Sequence, residues 1–335
     1  TYYVRNNNKP ENRIEMLLVL NAGSVLETDE QQGLAHFVEH MAFNGTKSFP
    51  KQEIVEYLET IGMDFGPDLN AYTSFDETVY MLQVPSDNSE QLEKGFQILS
   101  EWAYYMSFEN EEIDKERGVI VEEWRLRGGA NKRMTDEQLP TILKDSKYAE
   151  RLPIGKKAII DTFHYQTAID FYKSWYRPEL MAVIAVGDAD DNLMEDLIKK
   201  YFGSIPKSTK KIERPNISVP DHDETLYTIA SDPEASYSNI SIIHKFNPKV
   251  DKSSILSFKN GIIFNLYNNM LNSRLDELTK SSNPPFIYAY SRKGSWVQTK
   301  DMFTLSAYVK TNGIENGMEA LLKETLRLQN FGFTE

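Results

Sequence analysis

Gly33-Leu34-Ala35-His36-Phe37-Val38-Glu39-His40-Met41 is the stretch whose reading decides the rest of this 335-residue chain. Wound as an α-helix, it sets His36 and His40 one turn apart on one face, with Glu39 projecting close to both rings. Neutral imidazoles bind Zn²⁺, the ion acidifies a water, and a nearby carboxylate takes the proton; the trio matches what a zinc hydrolase needs. The order His-x-x-Glu-His reverses the commoner His-Glu-x-x-His. On spacing alone, a pair of core or exposed histidines is the alternative. A third ligand is what separates the two readings.

The segment 109–126 offers one. Glu116 and Glu123 are seven residues apart and share a helical face with Ile113 and Ile120. Carboxylates among isoleucines are costly unless paired or bound to a cation. Glu122 points elsewhere. Glu123 is therefore the expected third metal ligand, and Glu116 an outer carboxylate that orients a ligating imidazole. A solvated acidic face is the alternative here.

Around the motif, residues 13–20 read as a strand, and Thr28 with Gln31 offers a capping box for the motif helix, which Asn44-Gly45 closes. A second helix opens at Ser48-Phe49-Pro50 and stops at Gly62. Leu69-Asn70-Ala71-Tyr72-Thr73 is short and polar and follows Gly66-Pro67-Asp68, as an edge strand does; a turn at 74–77 leads into a strand over 78–84. Helices are expected over 87–106, 109–126, 167–175 and 192–202, with a buried strand at 181–186. Pro140 and Pro153 punctuate the polar stretch between 132 and 161.

The composition, 40% hydrophobic and 26% charged, is that of a globular chain, and its length is a prior for two domains. A net charge of −13 argues against a nucleic-acid partner. A basic or extended peptide matches better. With no cysteine, disulfides and thiolate zinc sites are excluded, so a metal must sit on His and carboxylate. No apolar run is long enough to span a bilayer. The opening Thr1-Tyr2-Tyr3-Val4-Arg5 reads as mid-strand, which suggests a trimmed N-terminus from which an export signal has been lost. His164, His222 and His244 have no partnered spacing and are expected to be structural or exposed.

Past a connector at 204–220, the pattern repeats loosely. A strand at 239–243 precedes Gly261-Ile262-Ile263-Phe264-Asn265-Leu266-Tyr267-Asn268, which stands where the motif helix stood; a strand at 303–309 and a helix at 316–321 echo 78–84 and 93–98. Phe264, Tyr267 and Asn268 replace the two His and the Glu, so the second copy has no metal site. It stops near the counterpart of Glu109. The expected domains are 1–210, catalytic, and 221–335, an incomplete metal-free repeat.

His36-Phe37-Val38-Glu39-His40-Met41-Ala42-Phe43-Asn44-Gly45-Thr46, Leu69-Asn70-Ala71-Tyr72-Thr73, the span from Glu116 to Glu123, and Trp175-Tyr176-Arg177-Pro178 leading to Val186-Gly187-Asp188 together resemble the pitrilysin family of zinc metallopeptidases. Within it the chain is most similar to bacterial zinc proteases, many of them exported. The resemblance implies an α+β fold: a repeated unit with a mixed, mostly antiparallel sheet flanked by helices, the second copy truncated, the two making half of a clamshell. It implies Zn²⁺ on His36, His40 and Glu123, Glu39 as general base, Glu116 in support, and a substrate strand pairing at Asn70 and Ala71. The spacing from His40 to Glu123 is slightly long for the family, and an insertion around 64–68 accounts for part of it. The implied activity is zinc-dependent endopeptidase action on peptides or unfolded polypeptides through a zinc-bound water. A non-catalytic binding or assembly module of the same fold is the alternative. The resemblance also implies an Arg and a Tyr supplied by a C-terminal half that lies outside this sequence, so the chain alone is expected to bind zinc and cleave weakly. A periplasmic or other exported compartment is favoured over the cytoplasm.

Overall fold

The computed structural model describes residues 1–207, 212–248 and 253–333. Residues 208–211 of the expected connector, and Glu335 where the second copy ends, lie outside them. The chain divides into two compact units, Thr1–Gly128 with Lys147–Ile217, and Gly129–Ser146 with Ser218–Glu335.

The first unit holds β1 (Tyr2–Asn6), β2 (Arg13–Leu20), α1 (Leu34–Met41), α2 (Glu53–Thr60), β3 (Leu69–Thr73), β4 (Thr78–Pro85), α3 (Ser89–Tyr104) and α4 (Asn110–Leu126). The polar stretch after α4 begins with α5 (Ala130–Ile142), which is part of the second unit. The first unit resumes with α6 (Lys157–Thr162), α7 (Tyr165–Trp175), β5 (Met181–Gly187) and α8 (Asp191–Phe202). Its sheet has the order β1-β5-β2-β4-β3, antiparallel except where β1 runs parallel to β5. The alternation of β2 buries Ile14, Met16, Leu18 and Leu20 completely. Against them lies α3, close enough that a Cβ on Gly95 would stand 2.4 Å from the Met16 methyl. The expected edge strand is β3, with a neighbour on one side only.

Two expectations need correcting. The capping box at Thr28 and Gln31 exists, but it closes a 3-10 turn over Asp29–Gln31 and not the motif helix. Gly33, at φ +104°, redirects the chain after that turn, and α1 starts beyond it. Pro140 does not break the chain; it sits in the last turn of α5, where its missing N–H costs a single bond.

The second unit adds β6 (Ser238–Phe246), α9 (Ile255–Thr279), β7 (Tyr288–Val297), β8 (Lys300–Val309) and α10 (Ile314–Phe331). Its sheet order, β6-β8-β7, repeats the β2-β4-β3 part of the first, again all antiparallel. α10 packs on β8 and β6 as α3 packs on β4 and β2. The core gathers Ile240, Leu271, Leu275, Phe286, Leu305, Val309 and Leu321. β7 is a strand that the sequence pattern does not announce, and α9 runs for 25 residues, well beyond the 261–268 expected to match the motif helix. At the place of His40, Asn268 is buried and its Oδ1 accepts the Ser291 hydroxyl at 2.9 Å, while Asn272 Oδ1 accepts the Ser291 N–H at 2.6 Å. No helix among the described residues is long and apolar enough to cross a membrane.

Candidate metal centre

The eight-residue α1 has no side chain of its own capping its N-terminus. Its free N–H groups are met from a distance by Glu27, fully buried, whose carboxylate accepts from Gly33 N at 3.1 Å and Ala35 N at 2.8 Å. Burial lifts Glu27 to about 8, while those two bonds and the Arg151 charge pull it down. Arg151 Nε also donates to the Glu27 carbonyl at 3.2 Å. Gly155 presses so closely on the turn that a Cβ there would stand 2.3 Å from Gly33 Cα. Anchored in this way, α1 turns one face toward α4.

On that face the His36 and His40 rings meet edge to face, 4.6 Å apart. Nε2 of His36 lies 3.7 Å, and Nε2 of His40 3.6 Å, from Oε2 of Glu123. One ligand atom from each of the three falls within 4.8 Å of the others. Arg127, one turn on, pairs with the other Glu123 oxygen. His40 Nδ1 lies 2.7 Å from Glu116 Oε1, which fixes the tautomer that leaves the Nε2 lone pair facing Glu123. The second Glu116 oxygen accepts the Asn44 amide. Glu39 is buried beside this group, its Oε2 accepting the Thr73 hydroxyl at 2.5 Å.

Burial, then the neighbouring His40, pushes His36 down to about 3, so its ring is neutral. Burial opposes a proton on His40, but the bond to Glu116 and the charges of Glu116, Glu39 and Glu123 outweigh it and the net shift is upward. Glu39 is raised by burial, against the pull of Thr73 and His40. Its carboxylate is thereby made a stronger base than an exposed one.

Two imidazole nitrogens and a carboxylate oxygen are a donor set suited to Zn²⁺. Around a tetrahedral ion with bonds of about 2.1 Å, donors stand roughly 3.4 Å apart, close to the separations from Glu123. Among the described residues, His36 Nδ1 is buried with no hydrogen-bond partner. The residues fit the ion.

A family model described as insulinase (peptidase family M16) matches residues 2–150, and one described as peptidase M16 inactive domain matches residues 162–335. The chain belongs to the M16 peptidase family. This M16 chain is 39% identical over 85% of its length to a zinc protease PQQL-like protein of Arabidopsis thaliana, covering 30% of that protein. To the probable zinc protease PqqL of Escherichia coli it is 31% identical over 97% of its length, covering 35% of that protein. The crystal structure of the first half of the periplasmic protease PqqL from Escherichia coli superposes with a TM-score of 0.86 at 30% identity, covering 99% of this chain and 71% of that one. The M16 chain thus spans about a third of the length of the curated relatives it matches.

The structure brings together His36, His40 and Glu123, with Glu39 and Glu116 beside them. Asn70 and Ala71 are not part of the donor set; they lie on β3, the edge strand whose Thr73 reaches Glu39. Glu27, Asn44, Thr73 and Arg127 also take part in the site and are not among the residues expected there. Asn44 and Arg127 are each four residues from a site residue on a helical path, a spacing that signals contact. Nothing local marks Glu27 or Thr73.

Proposed function

We propose that this M16 chain is the metal-bearing part of a zinc-dependent endopeptidase that hydrolyses peptides or unfolded polypeptides. The observation that carries the proposal is the convergence of two neutral-capable imidazoles and Glu123 beside a buried carboxylate, Glu39, that is not itself part of the donor set. His36, His40 and Glu123 would hold the ion. When bound, zinc supplies Lewis acidity, acidifying a water and polarising the scissile carbonyl. Glu39 takes the proton of the attacking water and delivers it to the leaving amine, and Thr73 holds the carboxylate in place. Glu116 keeps His40 in the ligating tautomer.

The edge of β3, on which Asn70 and Ala71 lie, would receive the substrate as an added strand. The first unit would be the catalytic domain, the expected 1–210 without Gly129–Ser146, which fold with the second unit, and 221–335 the metal-free repeat. A C-terminal half outside this sequence completes the site, and the protein works in an exported compartment, as the name of the Escherichia coli relative suggests for that protein. Glu39→Gln should abolish peptide cleavage, measured with a quenched fluorescent peptide, while zinc content by metal analysis stays at one ion per chain. Loss of zinc in that variant would show Glu39 to be a ligand and overturn the assignment.

A further inference from the structure

We infer that the loop at 64–66 is an end stop on the peptide-accepting edge, confining a bound substrate strand to the register of Ala71 and Thr73. The inference rests on the reading of β3 as the strand that receives substrate. In an antiparallel pair, alternate residues turn their N–H and C=O toward the partner and away from it. Leu69 identifies which are which. Its N–H donates to Asp64 O at 3.3 Å and its carbonyl accepts from Gly66 N at 2.7 Å, so the backbone of Leu69 faces away from β4. By alternation Ala71 and Thr73 face outward as well, while Asn70 and Tyr72 bond to Met81 and Val79. Consistent with this, the Ala71 N–H is met by its neighbour's Asn70 Oδ1 at 2.9 Å and not by β4.

The outward edge therefore has three stations, and the loop already occupies one. Phe65 bridges to Leu69 in the manner of a parallel strand and takes the place that a longer peptide would fill. The loop is braced: Asp68 N donates to Asp64 O at 3.1 Å, Asp64 N to Asp68 Oδ2 at 3.0 Å, and the Phe65 ring stands edge to face on Phe43 at 5.5 Å. At the other end of the edge, Thr73 carries the hydroxyl that holds Glu39. Four residue steps, about 13 Å of strand, separate that base from the stop. The substrate class is then a peptide whose extended stretch on the Leu69 side of the cleaved bond is short, ending or bending within about four residues. Where it bends it meets Phe65, which is 58% exposed.

The test uses the zinc-loaded Glu39→Gln chain, so that binding is read without turnover, and two series of labelled unstructured peptides, lengthened residue by residue at the N- or the C-terminus. In the parent, affinity should stop rising for one series once the peptide reaches the stop, with less than two-fold gained thereafter. Excising 64–66 should let that series gain about ten-fold more from the added pair. A second measurement guards against misfolding of the excised chain. In the parent, amide exchange should show peptide-induced protection at Ala71 and Thr73, with Gly66 and Leu69 equally protected with and without peptide. Continued gain with length in the parent, or opening of Gly66 and Leu69 on binding, would overturn the end stop and leave the peptidase reading standing. Peptide binding with no protection anywhere on β3, or no peptide binding at all, would overturn the use of this edge itself, and the end stop with it.

Discussion

At the scale of single residues, the proposed centre is supported by groups outside the donor set. Glu116→Gln keeps the size of the side chain but weakens the hold on His40 Nδ1, and zinc affinity should fall by about ten- to a hundred-fold in chelator competition, with the fold intact. Glu27 gives a different signature. Its folded value, about 8, lies above its ordinary 4.5, so the folded chain keeps a proton that the unfolded chain releases. Stability from this group is full below pH 4.5 and declines as pH rises through about 8; denaturant unfolding should show that slope, and Glu27→Gln should flatten it. His36, Glu39 and His40 were legible because one helical turn brings them together, and Glu123 because seven residues return to the same face. Glu27 and Thr73 were not, since their partnerships arise from a left-handed glycine and from a tertiary approach of β3 to α1 that no local pattern announces.

At the scale of elements, the position of α1 is set by close backbone approach more than by its own eight residues. Gly155 adopts φ +69°, and a Cβ there would collide with Gly33 Cα. Gly155→Ala should therefore destabilise the chain by about 3 kcal/mol in thermal or denaturant unfolding and weaken zinc binding with it. Most strands and helices were readable from alternation and helical spacing, including β3 as an edge, which Gly66-Pro67-Asp68 announced. The capping box misled because its pattern is satisfied equally by a 3-10 turn, and Pro140 because a last helical turn tolerates proline. β7 is hidden by its polar middle, Ser291-Arg292-Lys293-Gly294-Ser295, and is closed into a strand by β8.

At the scale of the whole molecule, the two units repeat one topology, and only the first has the donor set among the described residues. Stripping zinc with a chelator should lower unfolding stability by about 4 kcal/mol if the free ion had stood at a thousand times its Kd. Hydrogen exchange should rise in α1 and the last turns of α4 and stay unchanged in β6, β7 and β8. The repeat was visible in the sequence as a loose echo, whereas the sheet order that proves it needed coordinates. In the second unit the corresponding crossing of helix and strand is fastened by Asn268, Asn272 and Ser291. Amide and hydroxyl groups thus secure, in the second unit, the crossing that in the first presents the His36, His40 and Glu123 donor set, so this architecture coheres without metal-ligating side chains at that place.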